Sequence, residues 1–430
     1  MSAKKKSKKN NPSHLSIGGC DTINLAKKYG TPLYVIDKQT VENKAFEYLN
    51  SLKKHYPDFL VLYAAKAFAC KAIFKIINDI GLGLDVVSQG ELFLALKTNC
   101  DKKKIYFHGN NKSKEEIEYA IKNNTGRIVC DNFNELELLQ EIAKRQKKII
   151  NILIRLTPGI ECHTHEYIKT GHLDSKFGFD LEDYKKVLNF IKTKGKNLQL
   201  LGLHAHIGSQ IFETRPFYDT AGVLLDQFAY TKKNYNIELS ELNIGGGIGI
   251  SYTKEDDPLS IEDWAKITTN IIKAKCKKLN IKLPKLICEP GRSIIGPGGI
   301  TIYTAGSIKK VPKGTKYISV DGGMADNPRP ITYQAKYSAL VANKMNSKSF
   351  EKVTIAGRYC ETGDLLIKDI YLPKIQPGDT IVVLGTGAYN YSMSSNYNMV
   401  PRPACVLVEN GKSKIIIERE TYKDLITKHV

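Results

Sequence analysis

Residues 61–71 read VLYAAKAFACK, an apolar run of strand-like character that carries one lysine, Lys66. Lysine is almost never fully buried unless paired. An ionised amine in such a setting has to lose its charge, meet a counter-ion or enter a covalent bond. The stretch that follows, KAIFKIINDI, has the period of an amphipathic helix. Seven further apolar runs recur downstream at similar spacing: GLDVVS, KIYFHG, GRIVCD, INILIRLTP, LQLLGLHAHIG, ELNIGGG and KLICEPG. Helical patterns separate most of them, including ELFLALKTN, EEIEYAIKNN and ELELLQEIAKRQ. Strands alternating with helices predict a parallel sheet, and eight such units predict a closed (β/α)8 TIM-type barrel over residues 38–292. An open doubly wound sheet is the alternative.

After residue 293 the pattern changes to Gly/Pro turns and short strands such as TKYISVDGG, FEKVTIAGRYC, DTIVVLG and CVLVENGKSKIIIERE. That pattern predicts an all-β domain of sandwich or barrel type. It spans residues 293–430, and TPLYVID near the start adds a strand, so that residues 17–37 belong with it. Residues 1–16 (MSAKKKSKKNNPSHLS) read as a disordered basic tail.

The formal charge of +20 invites a nucleic-acid reading. The lysines, however, are scattered over helix faces such as DLEDYKKVLNFIKTKG, and only the tail is a basic run, so no nucleic-acid partner is expected. No apolar run approaches the ~18 residues of a membrane span. Nine cysteines, at positions 20, 70, 100, 130, 162, 276, 288, 360 and 405, form no CxxC pair. An odd count without that spacing points to a reduced, cytoplasmic protein. Only nine of the 64 basic residues are arginine. Four of these (Arg292, Arg329, Arg358 and Arg402) lie in Gly/Pro-rich stretches, where a planar fork suits carboxylate or phosphate recognition.

Active sites of (β/α)8 barrels lie at the C-terminal strand ends, often with a phosphate after strands seven and eight. Here those ends carry Lys66, Asp85 with Ser88, and His108 on strands one to three. Strand six carries His204, His206 and Ser209, strand seven Gly245, Gly246 and Gly247, and strand eight Glu289, Pro290, Gly291 and Arg292. Three consecutive glycines let bare backbone N–H groups approach an anion, and their spacing is not the dinucleotide fingerprint. A phosphate cradle, a strand-end lysine and a strand-end acid point to pyridoxal phosphate. Lys66 would form a Schiff base, and Glu289 would pair with the ring nitrogen. The imine would remove the charge from Lys66. His206 stays open between a core histidine, a ring packed on the cofactor face, and a metal ligand with His163, His165 or His172. No Cys or carboxylate cluster at ligand spacing completes a metal site, and none is expected.

These residues resemble the fold-type III pyridoxal-phosphate decarboxylases, and within that family the members acting on meso-2,6-diaminopimelate. The resemblance runs from about residue 31 to 425. It rests on YAAKAF, GLDVVSQGEL, HGNNKS, TGHLDSKFGF, GLHAHIGSQI, NIGGGIGI, CEPGRSI, VDGGMADNPRPITY, GRYCETGD and GAYNYSMSSNYN. It implies that Lys66 carries the cofactor and His206 stacks on its ring. Asp85, Ser209, Gly245–Gly247, Glu289–Arg292 and Tyr389 would surround ring and phosphate. Arg292, Arg329, Tyr333, Glu361 and Tyr389 would bind the distal end of the substrate, and Cys360 would protonate the carbanion. Cys360 and Glu361 would cross a dimer interface, implying a homodimer with active sites between subunits. The reaction implied is decarboxylation at the D centre to L-lysine, the last step of lysine biosynthesis.

Relatives acting on ornithine, arginine or carboxynorspermidine are the alternative, although ornithine-type members carry Asp where this chain has Glu361. A non-catalytic cofactor binder would lack Cys360 and the substrate arginines, and a racemase relative would lack Glu289. Gln89 in SQGE, Arg358 and the basic tail depart from the family pattern.

Overall fold

The computed structural model describes residues 13–160 and 175–430, which fall into two compact units. One comprises Glu42–Ile250 with Asp257–Ile294. The other comprises the chain up to Val41, Ser251–Asp256 and Ile295–Val430.

The first unit is a closed parallel barrel. Its strands are β1 (Phe59–Ala64), β2 (Gly83–Val86), β3 (Ile105–Phe107), β4 (Arg127–Cys130), β5 (Ile150–Thr157), β6 (Leu198–His204), β7 (Glu241–Asn243) and β8 (Lys285–Cys288). Each pairs with the next, and β8 closes on β1 with Leu286 opposite Phe59. All eight apolar runs of the sequence supply one strand each. A short strand, Phe179–Asp180, adds to β5 outside the ring. Inside the barrel Leu62, Tyr106, Val129, Leu153 and Ile287 form one buried cluster, drawn from five of the eight strands. Truncating such a side chain, for example Leu153→Ala, costs about 2–5 kcal/mol.

Helices return the chain between strands: α1 (Lys71–Ile80), α2 (Gln89–Lys97), α3 (Lys114–Lys122), α4 (Phe133–Arg145), α5 (Tyr184–Thr193), α6 (Arg215–Tyr235) and α7 (Ile261–Leu279). Several start on side-chain caps, which satisfy backbone donors that have no partner within the helix. Ser113 and Glu116 form a reciprocal capping box on α3. Ser88 caps α2, accepting from the Glu91 N–H at 3.2 Å. Its place at a strand end thus reflects helix initiation.

The second unit holds a branched nine-stranded sheet. Its spine is β9 (Gly299–Lys310), whose first half pairs on one edge with Leu33–Asp37 and on the other with β14 (Thr380–Leu384). The second half of β9 pairs with β10 (Lys316–Val320), after a register shift between Ala305 and Ile308. Beyond these lie β11 (Ala339–Val341), β12 (Phe350–Ala356), β13 (Leu365–Pro373), β15 (Ala404–Glu409) and β16 (Lys412–Ile417). The segment Leu33–Asp37 is a central strand, buried between β9 and β15. Its side chains Leu33 and Val35 pack with Ile302, Val382 and Val406. The basic tail falls largely outside the described residues, but Ser16–Ile17, whose first residue the sequence assigned to it, pairs with Cys20–Asp21.

Candidate active site

Lys66 does not sit within the strand. β1 ends at Ala64, and Ala65–Ala67 form a 3-10 turn that brings the lysine out at the C-terminal mouth, where it is exposed. The expectation of a buried lysine is corrected here, because the turn releases it from the apolar run that precedes it. Tyr63 fixes the turn by donating its hydroxyl to the Phe68 carbonyl at 3.0 Å. The Ala64 N–H donates to the Pro290 carbonyl at 3.1 Å, so β1 and the segment after β8 are joined beside the lysine.

The glycines after β7 are needed by the geometry. A Cβ on Gly246 would lie 2.1 Å from the Glu289 carbonyl oxygen, and Gly245 has φ +68°. The Gly246 N–H donates to His206 Nδ1 at 3.2 Å. Arg292 donates from Nε and Nη2 to Ser209 Oγ at 3.1 and 3.0 Å, which joins the ends of β6 and β8. Ser209, Gly245–Gly247, Pro290, Gly291 and Arg292 therefore gather around one backbone cradle.

Glu289 is buried with its carboxylate held on three sides. His108 Nε2 lies 2.9 Å from Oε1, His204 Nε2 lies 3.1 Å from Oε2, and Asn243 Nδ2 donates to Oε1 at 2.6 Å. Burial opposes its ionisation, but the two imidazoles outweigh it and hold Glu289 well below the usual carboxylate range. Burial also lowers His204 to about 4, so that ring is neutral. Asp85 is buried 3.6 Å from His108, and burial pushes its carboxyl up. Its Oδ1 has no hydrogen-bond partner among the described residues. His206 is half-buried and held neutral by burial and by the charges of Lys66 and Arg155.

His108, His204 and Glu289 offer ligand atoms within 4.8 Å of one another, with His204 hydrogen-bonded to Glu289 and His108 in ion-pair contact with it. The histidines weighed as metal partners of His206, namely His163, His165 and His172, lie outside the described residues. From the sequence, His108 is expected only as a strand-end residue, and Asn243 and Arg155 carry no expected role. Arg155 is buried in β5, its guanidinium 4.4 Å from the Phe177 ring centroid and 3.6 Å from Asp131. A charged residue inside the apolar run NILIRLTP was the available signal. Gln89 opens α2, and its N–H donates to Glu116 at 3.0 Å.

A cavity of about 850 Å³ opens at the opposite, N-terminal end of the barrel. Its main cations are engaged locally: Arg127 pairs with Glu241, Lys104 with the Gly81 carbonyl, and Lys148 with the Ile121 carbonyl. The chemistry-bearing residues lie at the other end.

In the sheet unit Arg329, Tyr333 and Tyr389 come together. The Arg329 guanidinium stands 5.2 Å from the Tyr333 ring and 5.5 Å from the Tyr389 ring. Arg329 is buried, and its Nε has no partner among the described residues. Tyr389 has φ +63°, a left-handed backbone that is uncommon outside glycine and frequent at functional sites. Cys360 and Glu361 are exposed on the turn after β12. The Cys360 N–H donates to Asn398 at 3.0 Å.

A glycine-lined cradle, an exposed strand-end lysine and a carboxylate held ionised at the end of β8 suit a phosphorylated, protonated pyridine ring. In agreement, the model of the pyridoxal-dependent decarboxylase pyridoxal-binding domain matches residues 42–296. The chain is 52% identical over 427 residues to the diaminopimelate decarboxylase of Synechocystis, covering 97% of this chain and 90% of that protein. It is 44% identical to that of Bacillus subtilis, covering 98% and 96%. The diaminopimelate decarboxylase of M. jannaschii, solved in co-complex with L-lysine, matches with a TM-score of 0.92 and 36% identity, covering 98% of this chain and 97% of that one.

The chain belongs to the pyridoxal-dependent decarboxylases, and within them to the diaminopimelate decarboxylase family. It is a carboxy-lyase whose cofactor is pyridoxal phosphate.

Proposed function

We propose that this enzyme removes CO2 from the D-configured centre of meso-2,6-diaminopimelate and releases L-lysine, the last step of lysine biosynthesis. The observation that carries the substrate is Arg329. A buried guanidinium with an unpartnered Nε, set against two tyrosine rings, favours a planar anion able to take paired hydrogen bonds. The distal carboxylate of diaminopimelate is such an anion, whereas ornithine would bring only a second cation. The L-lysine in the M. jannaschii structure matches the product of this reaction and supports the same reading.

Lys66 would anchor the cofactor covalently. Gly245–Gly247, Ser209, Pro290, Gly291 and Arg292 would hold its phosphate, His206 would pack on the ring with Asp85 beside it, and Glu289 would pair with the ring nitrogen. Pyridoxal phosphate supplies a sink for the electron pair that remains when the bond to CO2 breaks. Arg292, Arg329, Tyr333, Glu361 and Tyr389 orient the distal amino-acid end, so that the D-centre carboxylate is the one lost. Departure of CO2 needs no base. Cα then needs a proton, and the Cys360 thiol delivers it.

Cys360 and Glu361 are exposed near Tyr397 and Met399, which are 40% and 51% exposed. That exposure supports a homodimer in which each subunit lends this turn to its partner's site. We place the enzyme in the cytoplasm, where the eight described cysteines, all free, stay reduced.

The test is CO2 release by cofactor-loaded protein offered the meso isomer, the LL isomer and L-ornithine, with Lys66→Ala as control. Release from the meso isomer alone, with L-lysine as product, supports the reading. Release from ornithine would reassign the substrate. Arg329→Gln should raise KM about 10–100-fold, as expected for losing a charged hydrogen bond of about 1.5–3 kcal/mol.

A further inference from the structure

Glu289 ends β8 with a carboxylate that has about four acceptor positions. Two are filled by hydrogen bonds, from Asn243 to Oε1 at 2.6 Å and from His204 to Oε2 at 3.1 Å, while His108 Nε2 stands in ion-pair contact 2.9 Å from Oε1. His204 Nδ1 is buried without a partner among the described residues, so the proton of its neutral ring sits on Nε2, facing Glu289. The His108 and His204 rings meet edge to face with centroids 4.8 Å apart, which fixes both.

His108 also stands between two acids, since its Nε2 is 3.6 Å from Asp85. Two carboxylates sharing a buried site do not both stay ionised without donors between them.

We infer that His108 is a positioning residue: it keeps Glu289 ionised beside Asp85 and, with His204 and Asn243, leaves one acceptor position on Oε2 for a single further donor, the protonated ring nitrogen of the cofactor. This rests on the pairing of Glu289 with that nitrogen proposed above. Without the His108 imidazole against Oε1, Glu289 takes up a proton in place of the ring.

The test uses holoenzyme carrying pyridoxal phosphate labelled with 15N in the ring, together with direct titration of cofactor affinity. Wild type should give the protonated-ring resonance. His108→Phe keeps the ring volume but has no donor. It should shift the resonance toward free pyridine and weaken cofactor binding about tenfold, a change of ~1.4 kcal/mol. His108→Gln, which keeps an N–H donor, should restore most of both. Should His108→Phe fail to fold, His108→Asn, whose amide ends short of Glu289, takes its place. A wild-type resonance in His108→Phe or His108→Asn overturns the inference, as does His108→Gln behaving like His108→Phe, which would mark a packing role only. Glu289→Gln separates the two levels. If it leaves the resonance unchanged, the Glu289 pairing itself fails. If it shifts the resonance while His108→Phe does not, only the role of His108 fails.

Discussion

The backbone N–H of Gly246 donates to Nδ1 of His206 at 3.2 Å. With Nδ1 accepting, the neutral imidazole carries its proton on Nε2. The glycine run and the histidine, on neighbouring strands, are therefore one unit: the loop that would cradle a phosphate also sets the tautomer of the ring beside it.

Gly246→Ala tests that unit. The new Cβ would fall 2.1 Å from the Glu289 carbonyl, so backbone has to move. Overpacking of this kind costs about 1–3 kcal/mol. A lower thermal midpoint and at least about tenfold weaker cofactor binding, ~1.4 kcal/mol, are expected. Unchanged values in both measurements would show that the cradle tolerates a side chain.

Glu241 begins β7 at the far end of the barrel, where it accepts from Arg127 Nε at 3.1 and 3.0 Å, from Arg127 Nη2 at 2.5 Å and from the Tyr106 hydroxyl at 3.0 Å. Breaking one side of a largely buried pair leaves the other charge uncompensated, at a cost of about 3 kcal/mol. Calorimetry of Glu241→Gln should register that loss, while kcat/KM per folded enzyme stays at the wild-type level. A large fall in kcat/KM would contradict the separation of the two barrel ends.

Asp326 makes the sheet unit sensitive to pH. Its carboxylate accepts from Tyr303 at 2.5 Å and Tyr359 at 3.3 Å, and burial pushes its pKa up to about 7. The unfolded value is ~3.9, so the folded state holds this proton more tightly. The stability it contributes is full below about pH 4 and is lost as pH rises through about 7. Thermal midpoints of wild type should therefore fall relative to Asp326→Asn between pH 4 and 7 and then level off. A constant difference across that window would rule out this titration.

Among the described cysteines only Cys360 is exposed. Iodoacetamide followed by peptide mass spectrometry should label it before the other seven, and bound substrate should protect it. Cys360→Ala should lower kcat about 10²–10⁴-fold, the range for losing a general acid. Full activity in that variant would remove Cys360 from the reaction.

What the sequence determined by itself is the architecture and the set of strand-end residues. Strand and helix periods are local, so each of the eight apolar runs could be read within a window of about ten residues. Fold order then placed Lys66, His206, Gly245–Gly247 and Glu289 at one end. The same window could not separate a capping serine from an active-site one, and Ser88 turned out to cap α2. Nor could it see that Lys66 leaves the strand through a 3-10 turn. Only the tertiary structure decided the surroundings of Glu289, because its partners come from residues far away in the chain. His204 is 85 residues away and Asn243 46 residues away, and the parallel pairing of β6, β7 and β8 brings them within hydrogen-bonding distance. The charge state of a buried carboxylate depends on that neighbourhood, since desolvation and nearby donors act over a few ångströms regardless of chain separation.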